Sequence, residues 1–245
     1  MHMVWIKVVG TGPGSTAELT RRAAIALREA QVVLGYGGYL RRLGDFLKGK
    51  NVFSFAMGEE VQRCRETVRM AEEGWKAVLI SGGDPGIYGM ASLLLEVALP
   101  EGMAEHVEVI PGVSAMNAAS AVLGAPLSGD FAVVSLSDYL LPWEEIAERL
   151  EILAQTDLVL VLYNPGSSLR PHIFPQAVTI LRRYRPPETP VGIVRKVSLP
   201  EQTAMVTTLQ EVEKHPVDMH TIVIVGNRKT FQTASLMITP RGYRL

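Results

Sequence analysis

Short apolar runs alternate with longer stretches of helical periodicity along the whole chain. Residues 77–81 and 158–163 are almost continuously apolar, which predicts strands that are buried on both faces. Other short apolar runs end at turn-forming residues and predict further strands at residues 5–9, 107–110, 131–136, 191–194, 204–208 and 221–225.

Between the predicted strands, apolar residues recur every three or four positions, as they do on the buried face of a helix. Ser15 and Glu18 form a capping-box pattern, so a first helix is predicted to begin at Ser15 and to bury a stripe between residues 19 and 30. A second helix is predicted to carry its buried stripe at positions three and four residues apart, namely Val61, Cys64, Val68, Ala71 and Trp75. Others are predicted at residues 114–123, 143–154 and 174–184.

This alternation of strands and helices predicts an α/β fold, with helices packed on the faces of the sheets. The pattern is interrupted at Gly124-Ala125-Pro126-Leu127, after a helix rich in alanine. We therefore expect two α/β domains, at residues 1–113 and 114–245.

Composition and charge narrow the classes of function. The chain has 245 residues, 47% hydrophobic and 20% charged, which is typical of a globular protein with a substantial core. Its 24 basic and 25 acidic residues give a net charge of -1, so no overall field attracts nucleic acid or an acidic membrane. A polyanionic small molecule would need a local basic pocket.

The sequence also indicates the cellular compartment and argues against a bound metal. Cys64 is the single cysteine, which excludes an intrachain disulfide. The sequence has no apolar run of about 18 residues and no signal-peptide pattern, so a cytoplasmic protein is expected. The histidines are scattered without ligand spacing, and no bound metal is expected.

The first glycine cluster, Gly10-Thr11-Gly12-Pro13-Gly14, follows a predicted strand. It does not match a dinucleotide-binding fingerprint, because the third glycine position holds Ser15. Pro13 also lacks the amide that a phosphate cradle would use. The segment is either a plain strand-to-helix turn or a ligand loop at the end of a strand.

Two further segments follow buried strands. Asp84-Pro85-Gly86 is a favourable β-turn sequence, and its carboxylate is also suited to accept hydrogen bonds from ribose hydroxyls or ligand amines. Tyr163-Asn164-Pro165 closes the most apolar strand of the second half. Turn formation alone accounts for both sequences, so a ligand-binding role stays open at this point.

Basic side chains stand near strand ends in the second half: Arg170, Arg195 and Lys196, with Arg228 and Lys229 after the last strand. Each alone is typical of a solvated surface charge. Together they are suited to pair with the carboxylates of an acidic substrate.

Taken in order, residues 9–14, 81–90 and 110–115 resemble the three glycine-rich segments of the tetrapyrrole methylase family, and the resemblance covers essentially the whole chain. It implies two α/β domains with a cleft between them for S-adenosylmethionine and an acidic tetrapyrrole. It also implies a homodimer.

Motifs of the second half resemble the members that methylate carbon 17 of precorrin-3B, or of its cobalt-bearing counterpart, with ring contraction in cobalamin biosynthesis. These motifs are residues 124–127 leading to 130–131, 135–138 running to 142–143, 163–165, 219–221 before 226–227, and 240–243.

The resemblance also implies roles for individual residues. Methyl transfer to an electron-rich ring carbon needs no activated protein nucleophile, so alignment is the main task. Ring contraction moves protons, and Asp84, Asp130 and Asp138 are the candidate acids or bases. Arg170, Arg195 and Lys196 are expected to bind substrate carboxylates. The expected cofactor contacts are Pro13, Gly82, Gly83, Asp84, Ile87, Tyr88, Ser114, Ala115, Tyr163, Asn164 and Gly226.

Three alternatives remain at this stage. The first is a methyltransferase of the same family that acts on another ring carbon. The second is a nucleotide-dependent oxidoreductase, against which the glycine spacing counts. The third is a ligand-binding module without catalytic activity.

Overall fold

A computed structural model describes residues 4–167 and 169–244, and these residues form two compact units. The first unit ends at Ala115 and the second begins at Met116. The assignment of two domains, at residues 1–113 and 114–245, stays a prediction.

The first unit contains a parallel five-stranded sheet in the order β3-β2-β4-β1-β5. Because all five strands run in one direction, their carboxyl ends meet at one edge of the sheet, where Gly10 pairs with Ser81. Residues 77–81 are fully buried at the centre, as the apolar run predicts. The strands are β1 (Ile6–Gly10), β2 (Val32–Tyr36), β3 (Asn51–Phe55), β4 (Ala77–Ser81) and β5 (Val107–Ile110).

Four α-helices accompany this sheet: α1 (Arg21–Glu29), α2 (Gly37–Leu40), α3 (Glu60–Glu72) and α4 (Ala91–Ala98). The predicted start of the first helix at Ser15 is wrong. Ser15 caps only a short 3-10 helix, Thr16–Glu18, and an extended Leu19 separates that helix from α1. The Thr20 hydroxyl caps α1 instead, by accepting a hydrogen bond from the backbone N–H of Ala23 at 3.1 Å.

The buried stripe of α3 also differs from the prediction. Val61 and Trp75 are 45% and 38% exposed, and Trp75 lies beyond the end of the helix. The middle of the predicted stripe is confirmed, since Cys64, Val68 and Ala71 are buried and share the spacing of three and four residues. Trp75 stands outward because the chain has already turned at Gly74, whose φ is 86°.

Helix α5 (Ala115–Leu123) begins at the last residue of the first unit and continues into the second. The second unit contains a mixed five-stranded sheet in the order β10-β9-β11-β8-β7. Strands β7 and β8 are parallel, whereas β11 is antiparallel to both β8 and β9, and β10 is antiparallel to β9. The strands of this sheet are β7 (Phe131–Ser135), β8 (Val159–Tyr163), β9 (Pro190–Arg195), β10 (Thr203–Thr208) and β11 (Thr221–Val225).

A small three-stranded sheet completes the unit and joins β6 (Gly124–Ala125) to β12 (Phe231–Thr233) and β13 (Leu236–Ile238). Helices α6 (Trp143–Ala154) and α7 (Ile173–Arg182) pack on the larger sheet and share one hydrophobic core with it. Ile146 and Leu150 point into this core as predicted, whereas Tyr184 lies beyond the end of α7 and is exposed.

Strand direction decides which loops of the second unit meet. Strands β7, β8 and β9 end at the same edge of the sheet at which β10 and β11 begin. We call it the Asn164 edge, after the residue that follows β8. The residues that precede β7 and follow β11 lie at the opposite edge.

Within the part of the chain that the structure describes, none of the helices has the length and apolar character that a membrane span requires. Nor do the described His, Cys, Asp and Glu side chains form a group of three that would suit a metal ion.

Candidate functional site

The loops that follow β1 and β4 are joined through their backbones at the carboxyl edge of the first sheet. The N–H of Gly12 donates to the carbonyl of Gly83 at 3.2 Å, and the N–H of Gly83 donates back at 2.8 Å. Thr11 adds two hydrogen bonds to the carbonyl of Ser81, from its N–H at 2.9 Å and from its hydroxyl at 3.1 Å. Because the two glycine amides are used in this pairing, the loops form a rigid frame rather than an open phosphate cradle.

The loop that follows β5 approaches this frame so closely that side chains are excluded. A Cβ atom on Gly112 would lie 2.2 Å from the carbonyl oxygen of Gly83, and one on Gly10 would lie 2.5 Å from the amide nitrogen of Gly112. A Cβ atom on Gly83 would lie within 4 Å of the backbone of Ser114 and Ala115, which is an ordinary van der Waals contact. The structure therefore brings together the three glycine-rich segments that the sequence analysis singled out.

Asp84 is the side chain that ties these loops together. Its Oδ1 accepts a hydrogen bond from the N–H of Gly86 at 2.8 Å, and its Oδ2 accepts one from the N–H of Gly112 at 3.0 Å. Its carbonyl accepts from the N–H of Ile87 at 3.3 Å, which closes the predicted β-turn. With both carboxylate oxygens held by backbone amides, Asp84 is a loop anchor. The role of acid or base that the sequence analysis gave to Asp84 stays a prediction.

The other expected contacts of the first unit lie along the same loops. Pro13 and Gly82 are half-buried, and Ser114 is buried at the start of α5. Tyr88 is exposed and holds a φ of 52°, a conformation that bulky residues seldom adopt. A strained, exposed residue on a ligand loop is a common feature of binding sites.

In the second unit, a chain of hydrogen bonds follows the Asn164 edge. Asn164 has a φ of 52°, and its Nδ2 donates to the hydroxyl of Ser135 at 3.0 Å. The N–H of Ser137 donates to the same hydroxyl at 3.3 Å. The hydroxyl of Tyr163 accepts from the N–H of Met116, in the first turn of α5, at 3.0 Å.

Asp138 and Arg170, predicted separately as an acid or base and as a substrate cation, form an ion pair at this edge. The Nη1 of Arg170 donates to Oδ1 of Asp138 at 2.9 Å and to the hydroxyl of Ser137 at 3.1 Å. The side chains are 21% and 26% exposed, so each is accessible to a ligand. Among the described residues, the remaining guanidinium donors of Arg170 have no hydrogen-bond partner in the protein.

Arg195 is paired in the same way, with a residue that the sequence analysis did not identify. Its Nε donates to Oδ2 of Asp218 at 2.7 Å, and the other oxygen of Asp218 accepts from the Thr221 hydroxyl and the His220 N–H at 2.9 Å each. Burial opposes ionisation of Asp218, but the hydrogen bonds from Arg195, Thr221 and His220 outweigh it and lower its pKa. Lys196 follows with a φ of 50°.

The lowered pKa of Asp218 leads to a prediction about stability and pH. The ionised carboxylate stabilises the folded protein above its unfolded pKa, near 3.8, and this contribution is lost as the pH falls through the folded value. We expect Asp218→Asn to lower the free energy of unfolding by about 1 kcal/mol at about pH 6, and by less at about pH 3. Urea unfolding of both proteins at the two pH values measures the difference. A loss that is equal at both would contradict the assignment.

Two expected site residues lie at the opposite edge of the second sheet. Asp130 is exposed just before β7, so a five-residue strand, about 16 Å, separates it from the Asn164 edge. Gly226 follows β11, where its carbonyl accepts from the buried Arg185 at 2.5 Å and its N–H donates to Pro190 at 2.8 Å. The direction of β11 carries Gly226 away from Tyr163 and Asn164, so these expected contacts lie at opposite edges of the second sheet. The roles expected for Asp130 and Gly226 stay predictions.

Comparison with known proteins places these motifs in one family. Residues 6–213 match the model of the tetrapyrrole (corrin/porphyrin) methylases. The chain is 42% identical to the cobalt-factor III methyltransferase of Priestia megaterium over 97% of its own length, although it spans only 45% of that relative. It is 41% identical to a probable cobalt-factor III C(17)-methyltransferase of Salmonella typhimurium, with 98% of this chain and 100% of the relative covered. A precorrin-3B C(17)-methyltransferase of Sinorhizobium sp. is 40% identical, with 96% of both chains covered.

Solved structures agree. A crystal structure of the methyltransferase CobJ is similar with a TM-score of 0.89 and 37% identity, covering 96% of this chain and 99% of that one. A uroporphyrin-III C-methyltransferase from Thermus thermophilus, crystallised with S-adenyl homocysteine, is similar with a TM-score of 0.72 and 28% identity, covering 91% of this chain and 97% of that one.

Proposed function

Because the chain belongs to the tetrapyrrole (corrin/porphyrin) methylases, we propose that it transfers a methyl group from S-adenosylmethionine to carbon 17 of a corrin precursor, with the associated ring contraction of cobalamin biosynthesis. The observation that carries the proposal is the identity of about 40% with full-length relatives named for this reaction. The uroporphyrin-III enzyme, which bears a different name within the same family, is only 28% identical. Carbon 17 is therefore favoured over another ring carbon, and an oxidoreductase is disfavoured.

The loops of the first unit fit S-adenosylmethionine. Close packing of Gly10, Gly83 and Gly112 leaves a backbone surface without side chains, on which a ligand can lie flat. Asp84 is held in place at the end of this surface. The remaining lone pairs of its carboxylate can accept hydrogen bonds from ribose hydroxyls or an amine. The proposed contacts in the first unit are Pro13, Gly82, Gly83, Asp84, Ile87, Tyr88, Ser114 and Ala115. The resemblance to the family also implies contacts at Tyr163 and Asn164.

When bound, the cofactor supplies an electrophilic methyl group on a sulfonium sulfur, and the ring carbon of the substrate is the nucleophile. The residues of this chain are left with alignment and with the proton movements of contraction. Of the three candidate carboxylates, Asp138 is the one that is both partly exposed and placed at the Asn164 edge. We therefore propose Asp138 as the acid or base. The guanidinium groups of Arg170 and Arg195, together with the ammonium group of Lys196, would bind substrate carboxylates.

Isothermal titration separates this proposal from its rivals. Purified protein is titrated with S-adenosylmethionine and, separately, with the reduced nicotinamide cofactors. We expect binding of S-adenosylmethionine with a Kd on the order of micromolar, about -8 kcal/mol. Binding of a nicotinamide cofactor instead would contradict the proposal. Cofactor binding without turnover of any tetrapyrrole would favour a binding module.

Substitution of the loop anchor tests the cofactor loops. Asp84→Asn keeps the shape of the side chain but replaces one carboxylate oxygen with an NH₂ group, so either Gly86 or Gly112 loses its acceptor. We expect affinity for S-adenosylmethionine to fall about tenfold, the cost of one charge-assisted hydrogen bond. Asp45→Asn, on an exposed side chain of the same unit, is the matched control and should bind normally. Unchanged affinity in Asp84→Asn would argue against this loop as the cofactor site.

The homodimer that the resemblance implies is part of the proposal. Light scattering of the purified protein tests it: twice the chain mass supports the dimer, and the chain mass itself contradicts it.

A further inference from the structure

The turn that follows β2 carries the sequence Tyr36-Gly37-Gly38-Tyr39-Leu40-Arg41-Arg42, to which the proposed function assigns no role. Strand β2 lies next to β4 in the parallel sheet, so this turn emerges beside Gly82 at the edge that carries the glycine-rich loops. It therefore adjoins the proposed cofactor loops within the first unit.

One aromatic ring of this turn packs against the Gly82 loop, and a second ring packs against the first. A Cβ atom on Gly82 would lie 2.5 Å from the ring of Tyr39, so the ring packs directly on the glycine backbone. The rings of Tyr36 and Tyr39 meet edge to face, with centroids 5.3 Å apart and an interplanar angle of 81°. A Cβ atom on Gly38 would lie 2.5 Å from the ring of Tyr36. The turn is thus built around the two rings, and Gly38 and Gly82 leave the room that the rings occupy.

Two arginines accompany the rings. The guanidinium of Arg42 lies 5.5 Å from the centroid of the Tyr39 ring, and the Nη1 of Arg41 lies 3.5 Å from where a Cβ of Gly37 would stand. Burial raises the pKa of Tyr39 although Arg42 acts to lower it, so the ring is a neutral phenol under the cation. Neither Arg41 nor Arg42 forms an ion pair with any described carboxylate, in contrast to Arg170 and Arg195.

A planar, conjugated polyanion matches these groups. Guanidinium groups bind carboxylates through paired N–H donors, and they retain their charge at any physiological pH. Arg41 is exposed, while Arg42 and both tyrosines are half-buried, so part of each remains accessible to a ligand. A flat macrocycle with acidic side chains can contact the rings and pair with the arginines at the same time.

We propose that these four residues, Tyr36, Tyr39, Arg41 and Arg42, form a tyrosine–arginine cluster that binds the polycarboxylated tetrapyrrole. The cluster gives the first unit a substrate surface of its own, beside the cofactor loops. This inference rests on the proposed function, since it requires a tetrapyrrole substrate.

Binding measurements on a double variant test the cluster. Arg41→Gln with Arg42→Gln removes both charges, and Arg21→Gln with Arg65→Gln removes two exposed charges of the same unit that have no described ion-pair partner. Uroporphyrin III is the tetrapyrrole probe, followed by its fluorescence, and S-adenosylmethionine is titrated by calorimetry. We expect the cluster variant to bind uroporphyrin III at least about tenfold more weakly, with unchanged affinity for S-adenosylmethionine. The control variant should match the wild type for both ligands.

The outcomes separate this inference from the proposed function. Equal affinity of the cluster variant and the wild type for uroporphyrin III overturns the inference and leaves the proposed function standing. An equal loss in both double variants also overturns it, because the effect is then one of net charge. A wild-type protein that binds S-adenosylmethionine but not uroporphyrin III overturns the cluster alone. One that binds neither overturns both.

Discussion

Replacement of Gly112 by alanine is expected to weaken the binding of S-adenosylmethionine by at least about a hundredfold. The new methyl group would stand 2.2 Å from the carbonyl oxygen of Gly83 and 2.9 Å from the backbone of Gly10. These neighbours are backbone atoms, so no side chain can rotate away and the loops themselves must separate. Separation breaks the hydrogen bond from the N–H of Gly112 to Asp84 and moves the proposed cofactor surface.

Separation of the loops loses hydrogen bonds to a charged group, each of about 1.5–3 kcal/mol, so we expect the affinity for S-adenosylmethionine to fall at least about a hundredfold. Calorimetry measures the affinity, and circular dichroism shows whether the variant is folded. Gly129→Ala is the matched control, because its Cβ would meet only Thr239, at an ordinary 3.6 Å. Wild-type affinity in a folded Gly112→Ala protein would show that the close packing of the three glycine-rich loops is not needed for cofactor binding.

The second large effect is expected for Asp138→Asn. Asparagine can still accept the hydrogen bond from Arg170, so the loop after β7 should keep its position. It cannot exchange a proton near neutral pH. If Asp138 is the acid or base of ring contraction, the contraction step should slow by about a hundredfold or more while methyl transfer changes less.

Separate assays of the two steps provide the test, with methyl transfer followed by label and contraction by the mass and absorption of the product. Asp130→Asn is the internal control, because Asp130 lies at the opposite edge of the second sheet. It should retain both steps. Full contraction by Asp138→Asn would show that the proton is handled by another group.

Continuous apolar runs were reliable guides to the central strands. Residues 77–81 and nearly all of 158–163 are buried strands in the structure, because a strand covered on both faces needs little else than apolar side chains. Strand β3 was missed for the opposite reason. It lies at the edge of its sheet and alternates only between exposed and half-buried positions, so its pattern is weak.

The start of the first helix was predicted wrongly because a contact with a distant loop decides which of two capping residues is used. Both Ser15 and Thr20 are good helix caps, and Thr20 caps α1. Its hydroxyl also donates to the carbonyl of Pro111, in the loop after β5, at 3.2 Å. A contact between residues so far apart in the chain cannot be predicted from the local sequence.

The candidate site was likewise predictable only in part from the sequence. Three glycine-rich loops could be assigned to one edge because parallel strands end together. Placement of Asp130 and Gly226 depended on the direction of β7 and β11, which apolar runs do not reveal. Asp218 was missed as the partner of Arg195 because the two are 23 residues apart and meet only through the pairing of β9 with β11.

The position of the new methyl group tests the central claim most directly. Purified protein is incubated with S-adenosylmethionine carrying a ¹³C-labelled methyl group and with precorrin-3B or its cobalt-bearing counterpart, and the product is examined by NMR and mass spectrometry. We expect one labelled methyl group at carbon 17 of a ring-contracted product. A label at any other ring carbon, or no transfer to either substrate, would contradict it.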